Sequence, residues 1–408
     1  MELPDRLVVR TVPVTDPGDL ITRLPDPSAL AWVRYGEGLV GWGEAARIPV
    51  GPGLDRFVRA ERQLRTLFAD ALVDDQVQVP GSGPMAFGSF TFDPRSSGST
   101  LVVPRALLGR RGGHSWVTTF EEPSSDPFTQ VRSVVEPSEV RWGDGTQSAP
   151  CWQSAVETAV ERIRAGQLAK VVLTRDLHAS AAEPIDARAL LVRLAARFPE
   201  CFTFSCAGLV GATPELLVRR TSGQVTSLVL AGSVPRSSDS DEDAALGAGL
   251  LASAKDVEEH ELAVESVRQV LAPLCASLDV ASAPSLLALA NVQHLATQVS
   301  GNLATSRSAL EVAAALHPTA AVCGTPTLDA LQVIRELEGM DRGRYTGPVG
   351  WLDANGDGEW GIALRCAELD GDRARLFAGG GIVADSDPAA EFAEAQVKLR
   401  TMQYALEG

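Results

Sequence analysis

Apolar residues recur at helical spacing through Trp152, Val156, Ala159, Val160 and Ile163 before Gly166 closes the segment, which predicts a helix that turns into a strand opening at Lys170. Strand-like runs follow at Val171 to Leu173, Cys201 to Phe204 and Val225 to Leu230. The spacing then predicts one or two helices over Ala244 to Leu274 and another over Ser308 to Leu316. The tail reads as Gly-punctuated strands (Gly347 to Leu352, Trp360 to Cys366, Ala374 to Ala378) and a final helix from Pro388 to Leu406. Before residue 140, short apolar runs such as Leu30 to Tyr35 and Met85 to Phe90, broken by Gly and Pro, predict strands and hairpins. A Ser-, Pro- and acid-rich stretch from Glu121 to Gln147 reads as a surface connection between two halves, and Arg236 to Asp243 as an exposed loop leading into a helix. No internal repeat interrupts this order. The fold class expected is α+β, with large mainly antiparallel sheets flanked by helices.

Charge and cysteine usage narrow the partners. The 408 residues carry 36 Lys plus Arg against 52 Asp plus Glu, a formal net charge of −16, which argues against nucleic acid or an anionic membrane as partner. No run of about 18 apolar residues and no signal pattern at Met1-Glu-Leu-Pro-Asp-Arg are present, so a cytoplasmic location is expected. The six cysteines are scattered without a CxxC pair, which fits small buried thiols in a reducing compartment and not a zinc site.

Several groups could carry chemistry. Asp256 with Glu259, and Glu391 with Glu394, are i, i+3 pairs that project two carboxylates from one helix face. Singly, each pair reads as a solvated face; brought together across a pocket, they suit Mg²⁺, which takes one or two protein carboxylates and keeps sites for water and substrate. Glu215 follows a proline and could simply begin a helix. Lys170 could be an ordinary strand-end lysine, and His294 a satisfied core histidine. Asn355-Gly-Asp-Gly-Glu359 looks superficially like a calcium loop, but its acidic spacing favours a hairpin turn.

The motifs, taken in order, resemble the chorismate-utilising enzymes. They are Gly166-Gln-Leu-Ala-Lys170-Val-Val-Leu-Thr-Arg175, Gly211-Ala-Thr-Pro-Glu215-Leu-Leu, Leu230-Ala-Gly-Ser-Val-Pro-Arg236, Arg342-Gly-Arg-Tyr345-Thr-Gly-Pro-Val-Gly-Trp351, Ile362-Ala-Leu-Arg365 and Leu376-Phe-Ala-Gly379-Gly-Gly381-Ile-Val383. The likeness is strong from Cys151 to Met402 and loose over the first 140 residues. It implies one chorismate-binding domain over 1–408, with a divergent N-terminal half (1–140), a motif-bearing catalytic half (151–405), and two sheets packed with the active site at one edge.

The resemblance also implies roles. Aminating members carry glutamine at the position of Lys170, so lysine there resembles the hydroxylating isochorismate synthases. Lys170 is then the base that activates water, and the pocket must help it shed its proton. Glu215 is the acid that protonates the departing hydroxyl. Glu259 and Glu394 hold Mg²⁺, with Asp256 and Glu391 behind them. Ala231 stands where aminodeoxychorismate synthases have a nucleophilic lysine, which argues against a covalent intermediate. Ala231, Gly232 and Ser233 bind substrate through backbone amides, His294 lies near it, and Tyr345 and Arg365 grip the pyruvyl carboxylate. Gly379, Gly380 and Gly381 let amides approach an anion; Lys398 reaches the same carboxylate or pairs with Glu394. The reaction implied is reversible conversion of chorismate to isochorismate, feeding menaquinone or siderophore synthesis. No glutaminase subunit is expected, and a monomer is usual. The alternative is a salicylate synthase, which goes on to eliminate pyruvate. His317-Pro-Thr resembles the synthases and not the lyases.

Overall fold

The computed structural model describes residues 7–120, 132–290 and 292–408, apart from the side chain of Lys255. Its strands fall into two large sheets, one of thirteen and one of ten strands among the described residues. Neighbouring strands are antiparallel except for Val8–Pro13 beside Leu72–Asp75. Each sheet joins a block of strands from before residue 121 to a block from after residue 140 at a single seam. Trp32 pairs with Phe204 in the first sheet, and Phe87 with Trp351 in the second. The chain from Glu121 to Gln147 therefore joins parts that share both sheets; its residues 121–131 lie outside the described residues.

The run Leu30-Ala-Trp-Val is apolar at every position because the first sheet is covered on both faces. Leu30 and Trp32 join the core that also holds Phe87, Trp351 and Trp360, whereas Ala31 and Val33 pack with Leu190, Leu194, Leu399 and Met402 from two helices on the opposite face. Period-two alternation thus sorts residues between two cores.

Most sequence-predicted elements form close to their expected bounds. The helix that begins at Ala149 ends at Arg164 under a Ser148 cap, and its strand runs Lys170–Ser180. The acidic helices span Ala254–Leu271 and Pro388–Glu407. The run Trp360 to Cys366 is not one strand. It divides into Gly358–Ile362 and Cys366–Asp370, which belong to different sheets, and the crossover holds Arg365 at φ +48°. Helices at Arg56–Ala69, Ala187–Arg197 and Thr327–Leu337 went unread in the sequence. Asn355 to Glu359 is a hairpin, with the Asp353 carboxylate accepting from the amides of Asn355 and Asp357 at 2.9 Å each. Among the described residues no helix is long and apolar enough to cross a membrane.

Beneath the future site lies a buried ion pair. Arg342 Nη2 donates to Glu338 Oε1 at 2.5 Å and to the carbonyl of Val172 at 2.8 Å, and the amide of Thr174 donates to Glu338 Oε1 at 2.8 Å. The guanidinium also lies over the ring of Phe92, 4.2 Å from its centroid. One pair therefore fastens the Lys170 strand to the N-terminal half. Burial raises the Glu338 carboxyl, and the Arg342 fork opposes that rise.

Candidate active site

Lys170 begins its strand where the neighbouring strand, Arg373–Ile382, ends in glycines. Gly381 pairs with Val172, and a Cβ built on it would stand 2.6 Å from Cε of Lys170. The lysine side chain thus crosses the sheet over bare backbone. Its Nζ reaches Glu259 Oε1 at 2.6 Å. The side chain is only 17% exposed, so the plain strand-end reading does not hold.

Glu215 sits in the turn between strands Leu209–Thr213 and Leu216–Thr221; it does not start a helix. Thr213 fixes this turn, because its hydroxyl donates to the carbonyl of Ile362 at 2.6 Å and accepts from the amide of Glu215 at 3.2 Å. The Glu215 side chain is buried, and burial pushes its carboxyl up to about 8 against the opposing pull of the Lys170 charge. At neutral pH it is therefore a neutral acid with a proton to give.

The two acidic helices meet. Glu391 lies close enough to Glu394 and Glu259 to feel both charges; burial, with those like charges, raises its carboxyl although Ser386 Oγ donates to it at 2.7 Å. Asp256 is held in the same way by the Ser253 hydroxyl at its own helix start. Burial tends to raise Glu394, but Lys398, bonded to it at 2.7 Å, prevails with help from Arg365 and holds it below its ordinary value. Among the described residues no three carboxylate, imidazole or thiol groups form a ready metal cage. Mg²⁺ does not need one, since one or two carboxylates with water and substrate oxygens suffice. Two serine-tethered acids, Asp256 and Glu391, behind two held by lysine ammoniums, Glu259 and Glu394, fit that demand.

The remaining predicted residues border this cluster. Lys398 Nζ also donates to the carbonyl of Gly379 at 2.8 Å. A Cβ on Gly380 would stand 2.9 Å from Glu391 Oε2, so this glycine makes room for a carboxylate and not only for an amide contact. Gly232, at φ +71°, marks the register shift between Ala231 and Ser233 opposite His294. His294 Nδ1 lies 3.3 Å from the Gly232 carbonyl, while Nε2 is buried with no partner. Burial, reinforced by the charge of Arg365, pushes this imidazole down to about 4. It is therefore neutral, with Nδ1 donating and Nε2 left as an acceptor.

Arg365 lies close to Glu394, Tyr345 and Cys201; burial lowers it, and among the described residues its guanidinium makes no hydrogen bond or ion pair. Tyr345 is buried and stacked on Phe377 at 5.1 Å; burial raises its hydroxyl against the nearby Arg342 and Arg365 charges. An unspent, half-buried guanidinium beside a tyrosine is equipped to take a carboxylate. His317 is a core histidine, packed against Phe57 and Phe92 with Nε2 3.1 Å from the Phe92 carbonyl. Thr213, Ser253 and Ser386, which orient the acids, were not singled out in the sequence. Their signal is a hydroxyl two to five residues before an acid, a spacing too common to stand out.

The arrangement has counterparts. A family model described as chorismate binding enzyme matches residues 33–407. The isochorismate synthase DhbC of Bacillus subtilis (strain 168) is 42% identical over 361 residues, covering 85% of this chain and 87% of the relative. The isochorismate synthase EntC of Escherichia coli (strain K12) is 37% identical over 349 residues, covering 84% and 85%. The solved structure of MenF, the menaquinone-specific isochorismate synthase from Escherichia coli, superposes with a TM-score of 0.82 at 27% identity, covering 100% of this chain and 96% of that one.

Proposed function

Because this chain belongs to the chorismate-binding enzyme family, we infer that it is an isochorismate synthase, converting chorismate reversibly into isochorismate. The observation that carries the reaction type is the pairing of a protonated buried acid, Glu215, with an amine, Lys170, whose charge it feels. An acid and a base with separate environments can act on two carbons of one ring.

In this reading Glu259 and Glu394 hold Mg²⁺, with Asp256 and Glu391 behind them, and the bound ion supplies a positive anchor for the ring carboxylate. Once it has given its own proton to solvent, Lys170 as the free amine takes a proton from water as the water oxygen bonds to C2. The ring double bonds shift, the C4–O bond breaks, and Glu215 gives its proton to the departing hydroxyl, which leaves as water. One water is gained and one lost, so the product is an isomer and the step can run backward. Arg365 and Tyr345 bind the pyruvyl carboxylate, with Lys398 and the amides of Gly379, Gly380 and Gly381 beside it. The backbone of Ala231, Gly232 and Ser233 and the His294 ring border the substrate. Ala231 has no nucleophile, so no covalent intermediate is needed. Because water is the nucleophile, no glutaminase subunit is required. We place the enzyme in the cytoplasm as a monomer.

Product analysis tests this directly. Protein with chorismate and Mg²⁺ should yield isochorismate alone, with or without an ammonium salt, and chelation should stop turnover until Mg²⁺ is restored. Salicylate and pyruvate appearing together at the rate chorismate disappears would instead make it a salicylate synthase. Anthranilate formed with ammonium would make it an aminating enzyme.

A further inference from the structure

Lysine is scarce in this chain: Lys170, Lys255 and Lys398 stand against 33 arginines. Two of the three hold the two carboxylates assigned above to the metal. Lys170 Nζ is 2.6 Å from Glu259 Oε1, and Lys398 Nζ is 2.7 Å from Glu394 Oε1. Ion pairs elsewhere, such as Arg47 with Glu44 and Arg268 with Glu265, use guanidinium. The two cations differ in how easily they let go. A guanidinium grips a carboxylate with a planar fork, often through two bonds, whereas an ammonium is a compact charge whose donors turn freely on a flexible stem.

The positions of these ammoniums also matter. A carboxylate oxygen engaged by an ammonium at 2.6 Å cannot offer that same lone pair to Mg²⁺, which must approach to about 2.0–2.1 Å. Two cations cannot share the place. Lys398 has a second acceptor already in hand, the Gly379 carbonyl at 2.8 Å, so it can leave Glu394 without being stranded. The Lys170 stem lies over Gly381, which puts no side chain beneath it.

We propose that Lys170 and Lys398 are displaceable counter-ions of the cation site: they neutralise Glu259 and Glu394 while no divalent cation is bound, and they give up those oxygens to one that arrives. Lys170 is then free to turn toward substrate only after Glu259 has gone to the metal. This rests on the reading of Glu259 and Glu394 as Mg²⁺ ligands. It adds an order of events, in which the base is released by cation binding.

The experiment is a Mg²⁺ titration of the intact, substrate-free protein by calorimetry, for wild type, Lys170→Met, Lys170→Arg and Lys398→Met. Loss of a competing ammonium should tighten Mg²⁺ binding on the order of five- to tenfold in each Met variant, the scale of one partly exposed ion pair. Lys170→Arg should bind no tighter than wild type, because a fork on Glu259 is harder to displace. With only three lysines, protein labelled with ¹³C at lysine Cε gives a simple spectrum, and the Lys170 and Lys398 signals of the wild type should both move along the same Mg²⁺ curve. Wild type that binds Mg²⁺ while Lys170→Met binds it no more tightly, or while the Lys170 signal stays fixed, would overturn the counter-ion role and leave the metal assignment standing. Wild type that takes up no Mg²⁺ would overturn both.

Discussion

A methyl group at Gly381 would stand 2.6 Å from Cε of Lys170 and 3.2 Å from its Nζ. The glycine is therefore required by the lysine and not by its own backbone angle. Gly381→Ala should push the Lys170 side chain aside while the strand keeps its pairing with Val172. A displacement of about 1 Å at a reacting group costs on the order of 10²-fold. The expected result is a fall in kcat of that size with KM changed far less, measured by steady-state isochorismate formation. An unchanged kcat would show that Lys170 does not need this path.

The acid–base pair gives a sharper test. Lys170→Gln should remove water addition, with a loss on the order of 10²-fold or more in kcat and a smaller effect on substrate affinity. On the proposed reading affinity is held mainly by Arg365, Tyr345 and the bound Mg²⁺. Assay of the folded variant with an ammonium salt should reveal any amino product. Near-normal isochorismate formation by Lys170→Gln would remove the lysine from the role of base.

The site was more legible in the sequence than its supports. Glu259, Glu394, Glu215 and Lys170 stood out because their motifs are local, and local spacing survives folding. The break at Arg365 did not, since Trp360 to Cys366 is apolar enough for one strand and the crossover is a tertiary event that places Ile362 and Cys366 in different sheets. The helix Arg56–Ala69 carries four arginines and buries one face only, including Arg56 and Glu61, so charged residues mask its apolar stripe. The Glu338–Arg342 pair looks like a surface i, i+4 bridge by spacing, yet both side chains are at most 2% exposed. Spacing reports which groups can meet, and burial decides what the meeting is worth.

That buried pair makes its own prediction. Glu338→Ala would leave the Arg342 guanidinium without its carboxylate and free the amide of Thr174, and breaking a buried pair from one side costs about 3–5 kcal/mol. Denaturant unfolding should show a loss of that order. Replacing an exposed partner, as in Glu265→Ala beside Arg268, should leave the unfolding midpoint almost unmoved. Equal effects at the two sites would mean that the Glu338–Arg342 pair does not clamp the Lys170 strand.

The last prediction concerns pH. The Glu215 carboxyl is raised from 4.5 to about 8, chiefly by burial, with Lys170 opposing. Its acid form is the one that can protonate a leaving hydroxyl, so kcat for isochorismate formation should fall as pH rises through about 8. Stability follows with a defined sign. A group whose folded value lies above its unfolded value contributes stability that is fully present below about pH 4.5 and is lost progressively as pH rises to about 8, because over that range the unfolded chain gives up the proton while the native state keeps it. Glu215→Gln keeps the shape and removes the ionisation. Wild type should therefore lose Tm relative to Glu215→Gln between about pH 5 and 8, while the variant loses on the order of 10²-fold in kcat at every pH. Parallel Tm curves for the two proteins across that range would mean that folding does not raise the Glu215 carboxyl, and near-normal turnover by the variant would show that it is not the acid.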